Sequence, residues 1–142
     1  MPTRKADATW TGTMKEGSGT LSVESGAFKN VPYDWRSRFE TGATTNPEEL
    51  IGAAHAGCYS MALSGALTRA ERPPERIRTT ASVSIVAGPA GAEITRVDLV
   101  TRAKVPGIDE AKFAEIAEAT RKGCPVSKAL KGVEITLDAA LE

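Results

Sequence analysis

Histidine occurs once and cysteine twice among the 142 residues, which excludes a disulfide-stapled scaffold and a zinc site built from several Cys and His ligands. Net charge is missing as well. Eighteen Lys plus Arg are matched by eighteen Asp plus Glu, so no global positive field exists to hold nucleic acid. No apolar leader opens the sequence: Met1 to Trp10 carries Arg4, Lys5 and Asp7 and no run of signal-peptide type, so the expectation is a cytoplasmic protein with reduced thiols. Internal repeats and low-complexity linkers are absent, and Glu71 to Glu75, with Pro73 and Pro74, is too short to separate domains. With 41% hydrophobic and 25% charged residues, the composition fits one globular domain over residues 1–142.

The longest stretch without Asp, Glu, Lys or Arg runs from Leu50 to Thr68, and its nineteen residues have the length of a membrane span. Its composition argues otherwise. Gly52, His55, Gly57, Ser60, Ser64 and Gly65 make it only weakly hydrophobic, so it reads as a helix buried inside protein, with small side chains that permit close helix approach and with no membrane partner. Asn46-Pro47-Glu48-Glu49 starts that helix with an N-cap, a proline at the first helical position and acidic residues in the first turn, and it should reach about Arg69.

Around this helix the pattern alternates. Ala8, Trp10, Gly12 and Met14, then Leu21 and Val23, with glycines at 17, 19 and 26, predict a meander of short strands, with a third strand near Trp35 to Glu40. Ala81, Val83 and Ile85, then Ile94, Val97, Leu99 and Val100, flank Gly88-Pro89-Ala90-Gly91 as a hairpin. Asp109 caps a second helix with Phe113, Ile116, Ala117 and Thr120 on one face and Gly123 at its end. Cys124-Pro125 starts a short helix through Lys131, and Val133, Ile135 and Leu137 form a last strand. Strands that arrive as a meander and a hairpin place the fold in the α+β class, with mainly antiparallel sheet around two main helices.

The chemistry available centres on Cys58 and Cys124. A thiol attacks only as thiolate, and at a free pKa of about 8.5 it needs cationic help near neutrality. Two buried cysteines packing as small hydrophobes is the plain alternative. A bridge between them requires Cα atoms brought to about 4.4–6.8 Å, which sequence alone does not decide. Local electrostatics leaves open which sulfur attacks, because Cys124 precedes the short helix, where a thiol pKa is lowered.

Four blocks are distinctive: Arg38-Phe39-Glu40; Asn46 to Ala56; Val105-Pro106-Gly107-Ile108-Asp109; and Gly123-Cys124-Pro125-Val126-Ser127. In this order and separation they resemble the OsmC branch of the OsmC/Ohr peroxidases, over nearly the whole chain. The resemblance implies an intertwined homodimer with two sites at the interface and a thiol peroxidase of the oxidative and osmotic stress response that reduces organic hydroperoxides. It implies no metal and no bound cofactor. Carried over by position, Cys58 matches the attacking cysteine, Cys124 the resolving cysteine, Arg38 the activating arginine and Glu48 its carboxylate partner. The implied reductant is a dithiol of the dihydrolipoyl kind on a carrier protein, for which no docking surface is marked here. A non-enzymatic, redox-switched dimer of the stress response is the alternative.

Arg38 can stabilise a thiolate through its permanent charge, with Glu48 orienting the guanidinium. Glu48 and Cys58, ten positions apart, stand about 15 Å apart along a straight helix and nearly a quarter turn out of line. Either the helix is broken or Glu48 serves the Cys58 of a second chain; the small residues of this helix favour the second arrangement. His55, three residues before Cys58, is open to readings as a base, half of a metal site, or a structural polar contact, the last being preferred. Arg36 reads as an exposed strand residue, and Trp10, Tyr33, Trp35, Phe39 and Tyr59 as core or interface aromatics.

Overall fold

In the computed structural model, which describes residues 1–142, the N-terminal alternation forms a three-stranded antiparallel meander of β1 (Ala6–Thr11), β2 (Ser18–Val23) and β3 (Val31–Tyr33), paired in that order. Position 19 requires glycine. A Cβ there would overlap the Tyr33 ring and stand 2.7 Å from the Thr9 carbonyl oxygen, while the Trp10 and Tyr33 rings pack with centroids 5.3 Å apart.

The strand expected over 35–40 is not one: Arg36–Phe39 forms a single-turn helix, α1, on which Arg36 is exposed. Asp34 supplies the reason. Its carboxylate accepts the Ser37 backbone N–H at 2.8 Å and its carbonyl accepts the Ser37 hydroxyl at 2.8 Å, a local closure that competes with strand pairing. Asn46 then caps α2 (Pro47–Arg69), its side-chain oxygen accepting the Glu49 N–H at 2.8 Å while its amide nitrogen donates to the Ser37 carbonyl at 2.8 Å. One residue thus ties α1 to the start of α2.

These features belong to the first of two compact units, Met1–Leu50; the second is Ile51–Glu142, into which α2 continues unbroken. The hairpin of the second unit consists of β4 (Arg76–Gly88) and β5 (Gly91–Lys104), longer than the apolar alternation alone predicts. Its two-residue connection is Pro89-Ala90, and Gly91 follows at φ 114°. Asp109 caps α3 (Glu110–Gly123) by accepting the Lys112 N–H at 2.7 Å. The short α4 (Pro125–Ala129) ends before Lys131, and β6 (Glu134–Leu141) follows. β6 joins β5 in parallel, whereas the other named strands pair antiparallel.

Alternation along β5 buries Val97, Leu99, Thr101 and Ala103 on one face. Against them lie Tyr59, Leu63 and Leu67 of α2 and Phe113 and Ala117 of α3. The Tyr59 hydroxyl, which burial pushes above its ordinary range, donates to the Ala117 carbonyl at 3.0 Å. By length and composition α2 could cross a membrane. Only one side of it is covered, however: Ala53, Gly57 and Met61 form an open stripe, with Met61 74% exposed. The expectation of an enclosed helix is therefore met on one face of the single chain.

Candidate active site

In the first unit, the helix start at Asn46-Pro47 places Glu48 in the first turn of α2, where the unpaired N–H groups favour a carboxylate. Arg38 reaches it from α1. Its Nη2 lies 2.7 Å from Oε1, and its Nε lies 3.2 and 3.3 Å from the two carboxylate oxygens, a two-pronged pair that fixes the plane of the guanidinium. Glu48 is 7% exposed, whereas the Arg38 side chain is 34% exposed. The carboxylate is spent on holding the arginine; the arginine still faces outward with donors to spare. The guanidinium also lies over the Phe39 ring, 5.6 Å from its centroid.

In the second unit, the middle of α2 presents Cys58 to the junction of α3 and α4, where Cys124 closes one helix and opens the next. The Cys124 N–H donates to the Thr120 carbonyl at 2.9 Å, and its own carbonyl accepts the Lys128 N–H at 3.0 Å. Both cysteines are free, with sulfurs 3.2 Å apart. Cys58 is half-buried and Cys124 almost fully enclosed. A disulfide would bring the same two sulfurs to about 2.05 Å.

Their protons are held unequally. Burial pushes the Cys58 thiol up, against a single hydrogen bond from the Val126 backbone N–H. Burial opposes ionisation of Cys124 too, but hydrogen bonds from the Ser127 N–H, the Cys58 thiol, the Ser127 hydroxyl and the Val126 N–H outweigh it, and the net direction is down. Of the two, Cys124 is the more readily ionised partner. This is the direction the local reading of the Cys124-Pro125 turn anticipated.

The four residues expected at the site are thus brought together two by two, Arg38 with Glu48 in one unit and Cys58 with Cys124 in the other. His55 takes the role of a structural polar contact: it is completely buried and its Nε2 lies 2.8 Å from the Ser127 Oγ. Ser127 is the residue that sequence reasoning passed over. Its position three residues after Cys124 was visible, but nothing local ties it to a histidine 72 positions away. No group of three His, Cys, Asp or Glu side chains converges to hold a metal ion.

Residues 40–138 match the family described as OsmC-like protein. The chain is 50% identical over 139 residues to the peroxiredoxin OsmC of Escherichia coli (strain K12), a match covering 98% of this chain and 96% of that one. It is 33% identical over 101 residues to the organic hydroperoxide resistance protein of Xanthomonas axonopodis pv. citri (strain 306), covering 70% of this chain and 69% of the relative. Among solved structures, that of the organic hydroperoxide resistance protein OhrB of Bacillus subtilis superposes with a TM-score of 0.73 at 25% identity, over 96% of this chain and 98% of the other.

Proposed function

The chain belongs to the OsmC-like protein family, and from that membership we propose that it is a thiol-dependent peroxidase reducing organic hydroperoxides to alcohols. The observation that carries the reading is the contact of two reduced sulfurs, one half-buried and one enclosed, at 3.2 Å. The Cys58 thiolate attacks the peroxide oxygen, the O–O bond breaks, and the departing alkoxide takes a proton from solvent and leaves as the alcohol. Cys58 is left as a sulfenic acid. The Cys124 sulfur then displaces hydroxide from it, giving a Cys58–Cys124 disulfide and water, and a dithiol reductant restores both thiols. A dihydrolipoyl group on a carrier protein is a reductant of the required kind, and the cytoplasm is the compartment that keeps such dithiols reduced.

Within its own chain the Cys58 thiol is pushed up by burial, so its role as nucleophile requires a cation. We assign that cation to Arg38. Its pairing with Glu48 supports treating the two as one device, with the carboxylate as orienter of the fork. The unbroken run of α2 from Pro47 to Arg69 supports the shared-site reading over a broken helix, since ten positions of a straight helix correspond to about 15 Å along its axis. The reading is therefore a homodimer in which the Arg38–Glu48 pair of each chain serves the Cys58 of the other. The open stripe of Ala53, Gly57 and Met61 on α2 supports close approach of a second copy.

The test is turnover. Cumene hydroperoxide should be consumed repeatedly with a small dithiol as donor, and faster than hydrogen peroxide. A single oxidation of one equivalent, with no further consumption, would point instead to a redox-switched dimer without catalytic activity.

A further inference from the structure

The segment from Ala119 to Val133 carries Arg121, Lys122, Lys128 and Lys131 and no Asp or Glu, in a chain whose charges otherwise balance. It runs from the last turns of α3 through α4 to the start of β6. The fold gathers its charge: all four cations line one recess of about 500 Å³, with Val133 and Ile135 among its other walls and no carboxylate. Arg121 is largely spent, its Nε held 2.9 Å from Glu118 and its Nη1 donating to the Ile135 carbonyl at 2.9 Å. Lys122 stands 3.8 Å from the same carboxylate. Lys128 and Lys131 are exposed and pair with no carboxylate. By contrast, Arg76, Arg96, Arg102 and Lys104 of the sheet each hold one.

This recess adjoins the redox pair through α4. The Lys128 N–H donates to the Cys124 carbonyl at 3.0 Å, so the free ammonium groups begin one helical turn from the resolving cysteine. None of the lining residues belongs to the α2 stripe assigned above to the second copy. Exposed ammonium groups on flexible stems hold one small anion weakly against water and salt. An extended acidic surface meets several of them at once and gains apolar contact with Val133 and Ile135. We propose that the recess is the docking surface for an acidic protein carrying the dithiol reductant, with Lys128 and Lys131 holding that carrier beside the Cys58–Cys124 pair. The proposal rests on the peroxidase reading and supplies the surface which that reading leaves unassigned. From the docked carrier, one thiolate attacks the Cys58 sulfur, the more exposed of the two, and the S–S bond breaks with Cys124 leaving as thiolate. The carrier's second thiolate then closes its own disulfide and displaces Cys58. Two electrons pass to the protein, and the two protons of the dithiol end on Cys58 and Cys124.

Steady-state reduction of cumene hydroperoxide by the intact protein tests the docking with three donors at limiting concentration. They are free dihydrolipoamide, a dihydrolipoyl domain of net negative charge, and the same domain with its surface carboxylates converted to amides. At low salt the acidic domain should show a kcat/KM about tenfold above that of the amidated one, and sodium chloride should erode the difference. Lys128→Glu combined with Lys131→Glu should abolish the preference by raising KM for the acidic domain. Turnover with free dihydrolipoamide should stay within about twofold, which also reports that the variant is folded. If that pair does not fold, Lys128→Gln with Lys131→Gln, which only removes the charges, carries the test. Equal kcat/KM for the acidic and amidated domains would overturn the proposal. So would an undiminished preference in the folded lysine variant, or an equal loss with free dihydrolipoamide. Inorganic phosphate that inhibits all three donors alike at matched ionic strength would mark a small-anion site and overturn it too. No peroxide consumption by the unsubstituted protein with free dihydrolipoamide would instead overturn the peroxidase reading, so the two failures are distinct.

Discussion

The sulfurs of Cys58 and Cys124 lie 3.2 Å apart although 66 positions separate the residues. One is carried by the middle of α2, the other by the joint between α3 and α4, and the contact depends on Tyr59 and Phe113 packing those helices onto the same sheet. Proximity at this distance makes the second thiol an intramolecular reagent, which is why the sulfenic acid at Cys58 has a short lifetime in the proposed cycle.

The two cysteines should therefore fail differently. Cys58→Ser should abolish hydroperoxide turnover and form no sulfenic acid at Cys124. Cys124→Ser should still react once with peroxide and retain a dimedone-reactive sulfenic acid at position 58, as mass spectrometry would show. A persistent sulfenic acid in Cys58→Ser would reverse the assignment of attacker and resolver.

The proposed sharing of the arginine device between chains predicts complementation. Glu48→Ala and Cys58→Ser homodimers should each be inactive, and mixing them under conditions of subunit exchange should recover one competent site per heterodimer. Arg38→Lys retains the charge but not the fork that meets the two carboxylate oxygens, so kcat/KM should fall by about tenfold or more. Failure of the mixed dimers to recover would place the pair and the thiol in one chain.

His55 also predicts a stability profile. Because burial lowers its pKa below the ordinary 6.5, the unfolded chain binds a proton that the folded chain refuses. Stability should then fall as pH drops below 6.5, by no more than about 1.4 kcal/mol per pH unit, and stop falling once the folded histidine also titrates. No other histidine competes in this window. Denaturant titrations of the parent and His55→Gln between pH 7 and 5 should show the slope in the first and its absence in the second.

At the meander, Gly19→Ala should destabilise by about 1–3 kcal/mol, the usual cost of forcing a methyl group into an occupied position, because its neighbours include the fixed Thr9 carbonyl as well as two rings. Thermal melts of the whole protein would measure it. An unchanged Tm would mean that β1 and β2 separate slightly at no cost.

The features legible in the sequence are those written in short spans. Asn46-Pro47-Glu48-Glu49 carries its cap, its proline and its acidic turn within four residues, and the helix starts there. Gly88-Pro89-Ala90-Gly91 likewise turns the hairpin, and Asp109 caps α3. The order of the Arg38, Asn46, Val105 and Cys124 blocks is equally a property of the chain itself. By contrast, the alternation near residue 35 misleads, because strand periodicity counts apolar spacing and overlooks the Asp34–Ser37 closure that bends the backbone into α1.

What the sequence determined alone, then, is the set of local backbone choices and the two thiols, one arginine and one glutamate available for chemistry. Tertiary structure decided the rest: that β6 lies parallel to β5, that Arg38 turns back onto Glu48, that Cys58 meets Cys124, and that His55 finds Ser127 72 positions away. The division has a physical cause. Caps and turns are settled by dihedral preferences over three or four residues, whereas contacts across tens of residues come from burying many apolar side chains at once and overcoming the entropy of closing long loops.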